Sequence, residues 1–267
     1  MPFLQEMASL SGGHFSFKDG ISGIPRSLGY RTLGDERGMD ARICGYNPPM
    51  QELNMVQQVA VMLLPALFAI TVHEAAHAWV AKQLGDRTAD LLGRVTFNPL
   101  RHIDPVGTVL VPLVTFLLSG FLFGWAKPVP VDGRNLRNPK RDMALVAAAG
   151  PGANLLMLLF WALLMRLGFT IGEAAPWFAL PMVYMGLGGI YINAILLVLN
   201  LLPILPLDGG RVLAGLLPAR AEAMFSRLEP WGLLIVLGLL FTGALQVLLA
   251  PGLHLAQELG LWVGGLQ

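Results

Sequence analysis

Cysteine and charge are what this sequence has least of, and each shortage narrows the possibilities. Cys44 is the only cysteine, so an intramolecular disulfide is impossible and thiolates cannot supply the ligand set of a metal site. Charged residues make up 13% of the chain, where soluble domains carry about 25%. Lys and Arg nearly balance Asp and Glu, the formal net charge is +1, and no basic tract occurs, so nothing points to a nucleic-acid partner. The opening residues lack a basic stretch followed by a short apolar core, so no cleavable signal peptide is expected. The first true spanning helix would then serve as the insertion signal. No internal repeat is visible. What is present in excess is apolar: 55% of residues are hydrophobic and the mean hydropathy is +0.62, which points to an integral membrane protein.

Residues 1–54 differ from the rest, being rich in Gly, Ser and charges of both signs without a sustained apolar period. They read as a poorly ordered or interfacial extension. Met50 and Met55 stand just before the apolar region, so the start could be over-extended. Apolar segments follow at 56–84, 105–123, 143–165, 180–203 and 231–250, each near the ~20 residues that cross a bilayer. Two proline-bearing polar loops separate the first three. Within them RVTF (94–97) and KPVPV (127–131) are expected to be extended, since β-branched residues and prolines disfavour helix. A short helix is expected after Gly210, ending near Pro218. The expectation is an all-α polytopic membrane protein of four to six transmembrane helices with a small membrane-associated β element in its loops. Residues 55–250 would form the working domain and 251–267 a mildly amphipathic tail.

The first apolar segment contains an expensive set of residues, His73-Glu74-Ala75-Ala76-His77. Ionisable groups at such depth usually mark a working site. Two histidines four apart on a helix share one face, so two imidazole nitrogens can bind one tetrahedral zinc. Glu74 then lies beside the open coordination position, where it can take a proton from a water acidified by the metal. The plainer alternative is that the three residues only join helices by hydrogen bonds. A catalytic zinc normally has a third protein ligand. His14 lies in the extension, His254 in the tail, and His102 in a loop where a surface or capping role fits better. Asp208 closes the run Asn200-Leu-Leu-Pro-Ile-Leu-Pro-Leu-Asp208-Gly-Gly210, where two prolines break the helix. Broken backbone at membrane depth is tolerated when buried in protein or lining a polar cavity. Asp208 is read as either the third ligand or a cap of the following short helix.

HEAAH in the first helix, AGPGAN at 149–154 and NLLPILPLDGG at 200–210 together resemble the site-2 protease family of intramembrane zinc metalloproteases. GRVTFNPLRHIDP and GWAKPVPVD resemble its compact prokaryotic members. The likeness covers about residues 52–210. It implies that His73, His77 and Asp208 bind one zinc ion per chain and that Glu74 is the general base. It further implies that Asn200 helps to hold the scissile carbonyl or oxyanion. Gly150, Pro151 and Asn154 match a second family element, read as helix packing or substrate support. The implied reaction is hydrolysis of a peptide bond within or near a transmembrane segment of a membrane-protein substrate, in a prokaryotic cell membrane. Two features depart from larger relatives: no segment is long enough for a PDZ or CBS domain, and the apolar segment 105–123 stands between the first two motifs.

That segment decides whether the three ligands can meet. If 105–123 crosses fully, helices 56–84 and 180–203 run antiparallel and Asp208 falls at the opposite face from the histidines. If it dips in and returns, the helices run parallel and all three ligands share one half. The basic residues favour the return. Lys82, Arg87, Arg94 and Arg101, then Lys127, Arg134, Arg137, Lys140 and Arg141, then Arg211, Arg220 and Arg227 would all lie on the cytoplasmic side, with the site toward it. The two extended segments could then form a small sheet to which a substrate strand adds. Two rival readings are a zinc transporter or storage channel using the same ligands, and a non-catalytic membrane scaffold.

Overall fold

The computed structural model describes residues 55–102, 104, 107, 127–172 and 174–266. The expected N-terminal extension and nearly all of 105–123 lie outside these residues. Among those described, the regular structure is helical: α1 Met55–Gln83, the single turn α2 Thr88–Leu91, α3 Pro139–Ile171, α4 Pro176–Asn200, α5 Asp208–Leu216, α6 Ala219–Ser226, α7 Glu229–Phe241 and α8 Ala244–Val263. Three are long and apolar enough to cross a membrane: Ala60–Gln83, Pro139–Ile171 and Trp177–Asn200. The bent pair α6–α7, angled by 62°, is a possible fourth.

Local chemistry fixes the ends that matter. At the end of α1, Gly85 takes φ +117°, its N–H bonds to the Lys82 carbonyl, and the Asp86 N–H reaches back to the Ala81 carbonyl at 2.9 Å. These paired bonds satisfy the last free carbonyls of the helix and reverse the chain. Asp86 is thereby set beneath α1. Helices α3 and α4 each begin with proline in the first turn, where its missing N–H costs no hydrogen bond.

Close contacts give the directions. An added Cβ at Gly188 of α4 would lie 2.6 Å from the Met62 sulfur. Further along, Asn154 of α3 bonds both Ala69 of α1 and Asn193 of α4. Rising numbers on α1 therefore track rising numbers on α4, and α3 runs antiparallel between them. The parallel arrangement that brings all three ligands into one half is the one observed. The flanks of the apolar segment 105–123 agree with it. The Lys127 N–H donates to the His102 carbonyl at 3.0 Å and the Arg137 N–H to the Leu84 carbonyl at 3.1 Å, so both flanks lie at the same end of α1.

The core is built from α3, α4 and α8, with Leu158, Trp161, Met165, Ile190, Leu249 and Leu253 buried together. Glycines allow the helices to approach: a Cβ at Gly189 would overlap the Trp161 ring. Two expectations need correction. The apolar run 231–250 is not one helix, because Gly243 at φ +75° breaks it into α7 and α8. The residues after 251 are also the second half of α8, burying Leu253, Ala256 and Gly260 against the core, so they do not form a separate tail.

No strand occurs among the described residues of RVTF and KPVPV. The physical reason lies in the second segment. Pro128 and Pro130 carry no N–H, and Val129 gives its own to Glu74 at 2.9 Å, so at most one donor remains in 128–131. A regular ladder, or a substrate strand pairing on it, lacks donors there. The two segments are joined by a side chain instead: Arg94 Nη2 donates to the Lys127 carbonyl at 2.7 Å.

Candidate metal and catalytic centre

His73, His77 and Asp208 meet. The two imidazole Nε2 atoms lie 3.0 Å apart, and Asp208 Oδ2 is 3.2 Å from His73 Nε2 and 3.3 Å from His77 Nε2. Helical spacing stacks the histidines on one face of α1. The proline-broken chain 201–207, with a cis Leu205–Pro206 peptide, folds back so that α5 presents its first residue to them. Gly209 and Gly210 permit this, since a Cβ on either would lie 2.3–2.7 Å from backbone atoms of residues 201–205. Gly150 of α3 opens the notch for both rings, as a Cβ there would stand 2.3 Å from His77 Nε2. The N-cap position of α5 falls on Leu207, and the Asp208 carboxylate faces the two imidazoles instead.

Hydrogen bonds fix which nitrogens carry protons. The Gly189 carbonyl can only accept, so Asn193 Nδ2 donates to it at 2.8 Å. Asn193 Oδ1 therefore accepts from Asn154 Nδ2 at 2.9 Å, which turns Asn154 Oδ1 toward His73. His73 Nδ1 must then be the donor across their 2.6 Å contact. His77 Nδ1 likewise donates to the Val146 carbonyl at 2.7 Å. In neutral imidazoles this leaves both Nε2 atoms as lone pairs. With both imidazoles neutral, two lone pairs and the Asp208 carboxylate oxygen converge on one point, and Oδ2 is buried there. A metal ion placed among the three would relieve their mutual repulsion.

The fit to zinc is close. Ligands about 2.0–2.1 Å from a tetrahedral ion stand roughly 3.3 Å from one another, close to the separations found. Three protein ligands leave one position for water or substrate.

Glu74 projects into the same cavity, of about 490 Å³, lined also by Pro128, Val131, Asn200 and Leu233. Its Oε2 accepts the Val129 N–H. Asn200 sits on the cavity wall with Nδ2 bonded to the Leu196 carbonyl at 2.9 Å, and a second N–H on that nitrogen is still to be used. All five residues singled out from the sequence therefore border one space. Asn154, expected to serve packing or substrate support, does join α1, α3 and α4, and it also meets His73 Nδ1. Sequence reasoning missed Asn193, whose signal was an amide in an otherwise apolar span. Of the surface or capping role expected for His102, the surface part does not hold: it is 2% exposed, closes the turn Pro99–Arg101 with its backbone N–H, and donates from Nε2 to the Thr96 carbonyl.

An all-helical membrane protein that gathers two imidazoles, a carboxylate and a nearby glutamate has the parts of a metalloprotease. The comparisons with known proteins agree. The chain is similar to "Putative zinc metalloprotease YwhC" of Bacillus subtilis, 35% identical over 198 residues that cover 74% of this chain and 87% of the relative. It is also similar to "Putative zinc metalloprotease Rip2" of Mycolicibacterium smegmatis, 30% identical over 198 residues, 74% of this chain and 73% of the relative. Residues 177–243 match Peptidase family M50. The chain belongs to that family, the site-2 protease family, and is a zinc metalloprotease of the membrane. No solved structure matches it significantly.

Proposed function

We propose that this protein is an intramembrane endopeptidase that holds one zinc ion on His73, His77 and Asp208 and hydrolyses peptide bonds within or near transmembrane segments of membrane-protein substrates. The observation that carries the reading is the convergence of two imidazole Nε2 atoms and the Asp208 carboxylate at 3.0–3.3 Å from one another, beside Glu74 in one cavity. The basic loops, all at the site's end of α1, support a cytoplasmic placement of that end.

Zinc bound there supplies Lewis acidity to a scissile carbonyl and acidifies a water molecule. The chain's residues do the rest. Asn154 and Val146 hold the imidazoles so that their lone pairs face inward. Glu74 takes a proton from the attacking water as its oxygen bonds to the carbonyl carbon. It then returns that proton to the nitrogen as the C–N bond breaks. Asn200 donates an N–H to the oxygen on which charge develops. A helical substrate conceals its carbonyls, so it must unwind locally before it can lie in the cavity. Prolines 128 and 130 offer it carbonyls more than amides.

Cleavage of a single-span substrate by protein reconstituted in liposomes tests this. Hydrolysis is expected to stop with a chelator, return with zinc, and be absent in Glu74→Gln. Zinc flux across the liposome without any cleavage would sink the protease reading in favour of transport.

A further inference from the structure

Two buried ionisable residues outside the site hold the segment that touches Glu74. Arg94 is 6% exposed and, among the described residues, pairs with no carboxylate. Its Nη2 donates at 2.7 Å to the Lys127 carbonyl and at 3.4 Å to that of Pro128. Burying an arginine with only carbonyl partners among the described residues is costly, which argues against simple loop packing. Asp86 is fully buried. It accepts from the Asp132 N–H at 2.7 Å and from Asn135 Nδ2 at 3.1 Å, as well as from Thr88 N at 3.0 Å. Residues 127–128 are thus tied at one end and 132–135 at the other. Between the ties, Val129 gives its N–H to Glu74 Oε2.

Building on the protease reading, we infer that Arg94 and Asp86 are positioning residues for Glu74, acting through the segment 127–132 that they stretch across the cavity. A glutamate next to a metal-binding histidine has flexible torsions and could itself fill the open coordination position. With Oε2 engaged by Val129, the carboxylate is held off, and Oε1 is the atom left to receive a proton. The alternating prolines suit this role. They stiffen the segment and leave Val129 as the donor opposite Glu74. A general base misplaced by about 1 Å can lose roughly 10²-fold in rate, so a fixed segment has a direct catalytic value.

Amide hydrogen exchange read by mass spectrometry on the full chain in nanodiscs tests the inference, alongside zinc content and the kinetics of cleavage. Prolines simplify the readout, because only Lys127, Val129, Val131 and Asp132 can exchange within 127–132. In Arg94→Met, exchange of Val129 is expected to quicken by about 10-fold. The kcat should fall by roughly 10²-fold, with KM and zinc content as in the wild type. Arg94→Lys, which restores the charge with a single donor point, should recover part of both losses. Asp86→Asn should loosen the other end and lower kcat in the same direction without loss of zinc. Unchanged exchange in Arg94→Met and Asp86→Asn overturns the inference, as does faster exchange with wild-type kcat. Zinc lost together with activity in both variants marks a merely structural role and overturns it too. A wild-type protein that cleaves no membrane substrate defeats the protease reading, while the exchange comparison still decides whether these residues aim Val129 at Glu74.

Discussion

The two walls of the cavity are built from different materials. On the ligand wall, side chains of three packed helices hold one another: Gly189, Asn193, Asn154 and His73 form a directed series of hydrogen bonds inside the bundle. On the opposite wall, Glu74 is held by one backbone amide of an irregular segment tethered by Arg94 and Asp86. Helix packing fixes positions rigidly, so the two imidazoles proposed as zinc ligands need no loop to be in place, and Asp208 is brought to them by the broken chain 201–207. The base depends on a segment whose shape is set by a few polar contacts. The division predicts that metal retention and turnover can be separated by mutation: damage to the first wall costs both, damage to the second costs turnover alone.

The sharpest separation comes from substitutions at the centre. Glu74→Gln is expected to retain zinc and lose detectable cleavage, whereas His77→Ala should lose both, as read by metal analysis and a peptide-cleavage assay. A Glu74→Gln protein that still cleaves would remove the base from its proposed role. Next in size is Asn200→Ala, where loss of one donor to the developing charge should lower kcat by about 10²–10³-fold with zinc unaltered; an unchanged kcat would take Asn200 out of the reaction. On the ligand wall, Asn154→Leu should weaken zinc binding by roughly 10–100-fold, the usual effect of removing a partner of a metal-bound histidine. Asn154→Asp keeps an acceptor for His73 and should bind closer to wild type. Equal affinities in the two variants would mean that the relay does not orient the ring.

The smallest effect is on stability against pH, at the base wall. Burial alone would raise the Asp86 carboxyl, but hydrogen bonds from Thr88, Asn135 and Asp132 outweigh it and hold the group below its ordinary value. A carboxylate depressed in the folded state stabilises the protein above its unfolded pKa of about 3.9, and that contribution is lost as pH falls through the folded value. The melting temperature of wild type should therefore exceed that of Asp86→Asn near neutrality, with the gap narrowing as the medium is acidified below that point. A gap independent of pH would show that the charge of Asp86 is not what holds the loop.

Much of the ligand wall was legible in the sequence. The spacing of His73 and His77 defines a shared helix face, and the proline-broken run before Asp208 marks backbone that could fold back toward it. Demanding that the three meet also gave the parallel course of α1 and α4. The base wall was harder to read. KPVPV has the β-branched residues of a strand, yet its prolines delete the donors a ladder needs and the pairing falls to an arginine side chain, a tertiary choice that local propensity does not encode. Asn193 was missed because a single amide in an apolar span has no periodic signature. The division of 231–250 rests on Gly243, one glycine among many, whose positive φ only the packed chain reveals.

The proposed chemistry depends on two imidazoles and the Asp208 carboxylate jointly binding zinc within the membrane domain. X-ray absorption at the zinc edge, on protein purified without added metal, tests it most directly. About one zinc per chain is expected, with two imidazole nitrogens and carboxylate oxygen near 2.0–2.2 Å, and loss of the metal in His73→Ala, His77→Ala and Asp208→Ala alike. Zinc retained in Asp208→Ala with an unchanged first coordination sphere would contradict it.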